Sequence, residues 1–259
     1  MKKYFIILLA YLFMAPCTSY ARNTDQILKL AVASNFRTAV TEIANIFTSK
    51  TGNEINISSA STGKLYAQII NGAPFDIFLS ADELTPIQLE KNKLTVDGSR
   101  FTYAYGRLVL LSLDSKTSIN SEQHLVNLKK INKIAIANPK LAPYGAAALD
   151  VLKNLAMYDT VVSKLVYGEN ISQAFQYVAS RSAEIGFVSL SQVKSFYPNT
   201  FDGYWIIPND LHRPINQQAV LLLHGKDSRI AYEFLSFMKS TMVKKILREK
   251  YGYYFERED

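Results

Sequence analysis

Leu28-Lys29-Leu30-Ala31-Val32-Ala33-Ser34-Asn35-Phe36 changes its period halfway along. The first six residues read as a short buried strand. From Phe36 the apolar residues Phe36, Val40, Ile43 and Phe47 recur at helical spacing, and Gly52 closes that helix. The chain therefore passes from strand to helix across Ser34 and Asn35. Reading outward, the alternation continues. Strands are predicted at 54–58, 75–79, 108–113, 134–137, 164–167, 185–189, 204–207 and 220–223. Helices are predicted at 65–70, from an N-cap at Thr85 with Pro86 first in the helix, and at 145–155, 172–180, 227–239 and 242–250. Such alternation, with no sequence repeat or long linker, predicts an α/β fold of parallel or mixed sheets flanked by helices. Sheets of that kind bind ligands at the carboxyl ends of strands, where helices begin.

Composition excludes several classes. The 259 residues are 48% hydrophobic and 20% charged, with 11 Gly and 8 Pro, unlike collagen-like, low-complexity or wholly disordered chains. With one cysteine, Cys17, neither a disulfide framework nor a Cys-rich metal site can form. The net charge of +7 attracts anions but is too diffuse for a nucleic-acid patch. Its densest run, Lys244, Lys245, Arg248 and Lys250, has helical spacing and reads as a solvated face.

The amino terminus reads as an export signal. Lys2 and Lys3 precede an apolar run from Tyr4 to Ala15, Pro16 breaks it, and Ser19-Tyr20-Ala21 puts small residues where a signal peptidase reads. The run would make about 18 Å of helix, short for a bilayer. Residues 1–21 are therefore expected to be removed near Ala21, leaving a periplasmic protein. Lipidation at Cys17 is the alternative, and Met14-Ala15-Pro16 suits it poorly.

Three predicted strand-to-helix turns carry hydroxyl or amide side chains: Ala33-Ser34-Asn35-Phe36, Ser59-Ala60-Ser61-Thr62-Gly63, and Asn138-Pro139 with Pro143-Tyr144-Gly145. Helix capping alone favours such residues. Three such turns in one α/β chain also suit an anion, because free N–H groups and helix dipoles point at it. Ser61-Thr62-Gly63-Lys64 is not a phosphate-binding P-loop, since Ser58 and Leu65 stand where that motif needs Gly and Ser or Thr. Enzymatic signals are thin. His124, His212 and His224 lack metal-ligand spacing, no Gly-x-Ser-x-Gly elbow is present, and Asp76 in a strand reads as a structural carboxylate. The many tyrosines and phenylalanines sit mostly at core-facing spacings.

At this point the residues resemble a known family, the periplasmic molybdate-binding proteins of bacterial ABC importers, from about Leu28 to Phe255. The marks are Ala31-Val32-Ala33-Ser34-Asn35-Phe36, Ser61-Thr62-Gly63-Lys64-Leu65-Tyr66, and Gly72-Ala73-Pro74-Phe75-Asp76-Ile77-Phe78-Leu79-Ser80-Ala81-Asp82. Ala137-Asn138-Pro139, Ala142-Pro143-Tyr144-Gly145, Gly168-Glu169-Asn170-Ile171, Gly186-Phe187-Val188-Ser189 and Tyr251-Gly252 complete them. The resemblance implies a two-lobed periplasmic-binding-protein fold of the class II type, with the oxyanion in the cleft. Lobe I would be 22–103 plus 214–259 and lobe II 104–213, with crossings near 102–106 and 213–217. It further implies capture of molybdate, with tungstate expected too because it is nearly isosteric, and delivery to a membrane permease. No enzyme activity, cofactor, directly bound metal or nucleic acid is expected, and a monomer is.

The site residues implied by the resemblance are Ser34 and Asn35 in the first turn and Thr62 in the second, with Ser61 beside it as the alternative. Tyr144 and Ile171 are backbone donors, with Asn170 adjacent. Many relatives carry a tyrosine where Ser189 aligns here. Ser189 is shorter, so Tyr144 or Asn35 is expected to supply that contact. The chemistry is consistent: molybdate is a fully deprotonated dianion that only accepts hydrogen bonds, and these residues include no Asp or Glu. Several aimed N–H dipoles hold such an ion without a formal cation. The alternatives are a binding protein for another oxyanion such as sulfate, a periplasmic α/β enzyme, and the effector-binding half of a transcription regulator.

Overall fold

The computed structural model describes residues 27–114, 119, 130–197 and 203–255. The expected signal segment, Cys17 and His124 lie outside these. Two five-stranded sheets form the frame. The first runs β2 (Ile55–Ala60), β1 (Leu28–Ala33), β3 (Ile77–Leu79), β10 (Asn216–Leu221) and β4 (Phe101–Tyr105). The second runs β7 (Leu165–Gly168), β6 (Ile134–Ala137), β8 (Ile185–Ser189), β5 (Leu108–Ser112) and β9 (Tyr204–Ile206). Both are mixed. In the first, β1 is parallel to β2 and β3, while β10 is antiparallel to β3 and β4. In the second, β6 is parallel to β7 and β8, while β5 is antiparallel to β8 and β9.

Nine α-helices are described: α1 (Arg37–Thr51), α2 (Thr62–Ile70), α3 (Leu84–Lys91), α4 (Pro143–Asn154), α5 (Tyr158–Val161), α6 (Ile171–Ala179), α7 (Leu190–Phe196), α8 (Arg229–Met238) and α9 (Thr241–Tyr251). They cover the first sheet on both faces, which is why β1 is apolar on both. Leu30 and Val32 join one core with Val40, Ile43 and Phe47 of α1, Phe234 of α8 and Leu247 of α9. Ala31 faces the other way, packing with Leu65 and Ile69 of α2 and Leu89 of α3. A separate core joins Val109, Leu110 and Ile136 of the second sheet to Val151 of α4 and Phe175 of α6. On α9, Lys244, Lys245, Arg248 and Lys250 are exposed and Val243, Leu247 and Tyr251 are buried, the solvated face the sequence predicts.

Several elements depart from the sequence reading. The strand β4 and the helices α5 and α7 are additional. In α7, Ser191 and Gln192 are polar yet buried, which hides its inward face from a hydropathy pattern. β10 begins at Asn216, four residues before the predicted apolar start, because Gln217 and Gln218 are buried in the sheet. Thr85 is not the N-cap of α3: the helix starts at Leu84, and the Asp82 carboxylate accepts the Thr85 N–H (2.9 Å) and hydroxyl (3.1 Å).

The chain passes between the sheets at Gly106–Arg107, joining β4 to β5, and at 207–215, joining β9 to β10. These crossings are bonded together, Gly106 N–H donating to the Ile215 carbonyl at 3.0 Å. The halves also meet elsewhere. Gly63 N–H donates to the Leu141 carbonyl at 2.8 Å, and the Ser172 hydroxyl donates to the Ser34 carbonyl at 3.2 Å. An exposed Lys64–Glu169 pair at 2.7 Å adds little, since solvent screens it.

Candidate functional site

The carboxyl ends of β1, β2, β6, β7 and β8 each lead into a helical turn, and these turns converge. Ser34-Asn35-Phe36 forms a 3-10 turn between β1 and α1. It is tied to the start of α6 by the Ser172–Ser34 bond and to α7 by Ser191, whose hydroxyl donates to the Asn35 carbonyl at 3.1 Å. The β2–α2 turn is tied to the loop before α4 by the Gly63–Leu141 bond. Thr62 and Gly63 share a cleft of about 280 Å³ with Leu141, Ala142 and Pro143.

Ser34, Asn35, Ser61, Thr62, Tyr144 and Ile171 are all buried, and their local roles differ. Ser61 occupies the N-cap position of α2 in extended conformation but makes no capping bond, and its hydroxyl is buried without a hydrogen-bond partner. Thr62 is engaged, its hydroxyl oxygen accepting the Ala81 N–H at 3.2 Å. Of the two second-turn hydroxyls, that of Ser61 has no partner, while that of Thr62 accepts one bond and keeps its own hydrogen to donate. Asn170 is a cap. Its side-chain oxygen accepts the N–H groups of Ser172 (2.9 Å) and Gln173 (3.1 Å). Its carbonyl takes that of Ala174, so Ile171 holds the first-turn N–H that Asn170 does not take. In α4 the Ala142 carbonyl takes the N–H groups of Gly145 and Ala146, and Pro143 has no N–H, so Tyr144 holds the first-turn N–H left over. Ser189 caps α7 in a reciprocal box with Gln192 and contacts Ser191 at 3.0 Å.

Sequence reasoning missed a group of buried partners behind Asn35. The Asn35 amide nitrogen donates to Gln217 Oε1 at 2.6 Å and to the Tyr253 hydroxyl at 3.2 Å. The Tyr103 hydroxyl lies 3.0 Å from the Ser80 carbonyl and 3.2 Å from Gln217 Oε1. Tyr253 also reaches Ser191 at 3.0 Å. Tyr251-Gly252 flagged the neighbourhood of Tyr253 in the sequence, but Gln217 and Tyr103 gave no local signal. Tyr144 and Gln217 meet at Gly106. A Cβ added there would run into the Tyr144 hydroxyl and lie 3.0 Å from Gln217 Nε2. Both polar atoms are buried without hydrogen-bond partners. Asn35 is a polar neighbour of the Tyr144 hydroxyl but not in hydrogen-bonding geometry.

This network contains amides and hydroxyls and neither carboxylate nor cation. Burial holds the Tyr103 and Tyr144 phenols well above their ordinary pKa and pushes Tyr253 up to about 12. All three therefore stay protonated and able to donate at neutral pH. A sign follows for stability: the fold prefers the neutral phenol, so its contribution is complete below the ordinary value near 10 and is lost as pH rises from there toward about 12. Melting temperature is expected to be flat from pH 7 to 9 and to fall steeply above 10. Tyr253→Phe is expected to flatten that fall, and an unchanged alkaline limb in that variant would refute the assignment.

Asp76 is structural, accepting the Lys29 N–H at 2.8 Å and contacting His224 Nδ1 at 2.7 Å. Burial lowers the pKa of His212, whose Nδ1 lies 2.7 Å from the Arg213 carbonyl. Among the described residues no three His, Cys, Asp or Glu side chains are grouped to hold a metal. Buried donors lacking acceptors cost about 1–3 kcal/mol each. An acceptor-only ligand would recover that cost.

The profile for bacterial extracellular solute-binding proteins matches residues 28–254. The molybdate-binding protein ModA of Azotobacter vinelandii is 45% identical over 227 residues, covering 87% of this chain and 89% of that protein. The ModA of Rhodobacter capsulatus is 42% identical over 226 residues, 87% of each. Among solved structures, the periplasmic molybdate-binding protein of Azotobacter vinelandii superposes with a TM-score of 0.84 at 36% identity, covering 89% of this chain and all of that one.

Proposed function

This chain belongs to the bacterial extracellular solute-binding proteins, and from that premise we propose that it captures molybdate and presents it to the permease of an ABC importer. The observation that carries the reading is that the Ser61 and Tyr144 hydroxyls and the Gln217 amide nitrogen are buried without hydrogen-bond partners, beside an Asn35 network whose bonds involve no carboxylate. A tetrahedral dianion accepts from such donors and offers no proton in return. The hydroxyls of Ser34 and Ser61, with the backbone N–H groups of Asn35, Tyr144 and Ile171, are the proposed ligands. Thr62, Asn170 and Ser189 shape the turns around them.

The reading extends further. Each sheet marks one lobe, and the first crossing falls after β4, at Gly106–Arg107, two residues beyond the 103/104 boundary expected from the sequence, while the second, at 207–215, spans the expected 213/214 boundary. The crossings act as the hinge, and closure over the anion makes the form that docks on the permease. Tungstate binds as well, being nearly the same size. The protein is a carrier without catalytic activity, acts as a monomer without nucleic acid, and reaches the periplasm by loss of residues 1–21. Among the described residues no helix is long and apolar enough to cross a membrane.

A melting panel tests the ligand. Binding stabilises the fold by mass action, by about 2.7 kcal/mol at a hundredfold excess over Kd, and so raises the melting temperature. Molybdate and tungstate are expected to raise it, and sulfate and phosphate to leave it nearly unchanged at equal concentration. A rise with phosphate alone would remove the molybdate assignment.

A further inference from the structure

We propose that Gln217 is a positioning residue that fixes the carboxamide of Asn35 and couples it to the two chain crossings. The inference rests on reading the site as an oxyanion site, but its observations are separate. Gln217 is fully buried. Its Oε1 lies 2.6 Å from the Asn35 amide nitrogen and 3.2 Å from the Tyr103 hydroxyl. The pairing of β10 with β4 slips between Gln217 and Gln218, an irregularity of the kind that re-aims side chains near functional sites. Its result is visible. Gln218 is committed to Arg100 (2.8 Å) and Thr102 (3.2 Å), whereas Gln217 turns toward Asn35. Gln217 also sits between the crossings: Gly106 belongs to one, Ile215 to the other, and only the missing side chain at Gly106 admits Gln217 Nε2 and the Tyr144 hydroxyl.

Both Asn35 amide hydrogens are engaged, one by Gln217 and one by Tyr253. The amide plane, and with it the backbone of the first turn, therefore has one orientation. A hinge movement that shifts Gly106 against Ile215 moves Gln217 and so disturbs Asn35. The predicted consequence is that Gln217 contributes to anion binding only through Asn35.

A double-mutant cycle by isothermal titration with molybdate tests this. Gln217→Met is expected to weaken binding about tenfold in the parent but less than about twofold in an Asn35→Ala background. Equal losses in both backgrounds would mean that Gln217 acts independently of Asn35 and would overturn the proposal, as would no loss in the parent. Gln217→Asn retains a buried amide while withdrawing its oxygen, and is expected to behave likewise if the methionine variant folds poorly. A second readout needs no ligand. The Asn35 side-chain amide protons are expected to be protected from exchange in the parent and unprotected in Gln217→Asn. Unchanged protection would refute the positioning role even if the parent fails to bind molybdate, which would count against the site reading alone.

Discussion

Replacing Ser34 and Ser61 together by alanine is expected to weaken molybdate binding at least about a hundredfold by isothermal titration. Each hydroxyl facing a charged acceptor contributes about 1.5–3 kcal/mol, and about 1.4 kcal/mol is tenfold. The ligand-free protein should respond in the opposite sense. The Ser61 hydroxyl is buried without a partner, so Ser61→Ala removes an unsatisfied group and should melt no lower than the parent. Thr62→Ala supplies the contrast. It deprives the Ala81 N–H of its acceptor, so it should cost about 1 kcal/mol of stability while changing affinity less. If Thr62→Ala abolishes binding and Ser61→Ala does not, the donors have been assigned to the wrong member of the pair.

Gly145→Ala is expected to damage stability and binding together. Gly145 is the third residue of α4, directly after Tyr144. A Cβ there would lie 2.7 Å from the Ala137 carbonyl carbon and 3.1 Å from that of Asn138, and would collide with the Ala137 oxygen. These are backbone atoms at the end of β6, so nothing flexible can yield. α4 must move off the strand, at a cost of about 3 kcal/mol or more, or roughly 6–12 °C in melting temperature. The same shift displaces the Tyr144 N–H, so affinity should fall more than about tenfold, as expected when a buried donor to a charged group is lost. Gly72→Ala is the control, since its Cβ would meet open space and only its positive φ of 83° is strained. It should cost about 1 kcal/mol without changing affinity. A Gly145→Ala protein that melts and binds like the parent would refute the account of α4.

Much of the frame was legible locally. Strands β1, β6 and β8 have the predicted bounds because each is a short apolar run bracketed by turn residues. Helices α1, α8 and α9 carry apolar stripes that their amphipathic surroundings make visible. Two of the misses share a cause. In β10 and α7 the inward side chains are Gln217, Gln218, Ser191 and Gln192, which hydropathy counts as outward. Their burial is made tolerable in part by partners far away in the chain, such as Asn35 for Gln217 at a separation of 182 residues.

The site divides the same way. Residue types at strand-to-helix turns marked Ser34, Asn35, Ser61, Thr62 and Tyr144 as donors, because capping and anion binding draw on the same short polar side chains. Which of them remains a donor depends on who else claims it. The Ser189 hydroxyl donates to Gln192, Thr62 and Asn170 accept backbone N–H groups and keep their own hydrogens, and the Ser61 hydroxyl has no partner. Local sequence fixed the α/β alternation and the candidate donors, since periodicity and turn chemistry act over a few residues. Long-range packing alone chose which donors stay free and how Asn35 is held, since a hydrogen bond is used up by whichever partner the fold brings within about 3 Å.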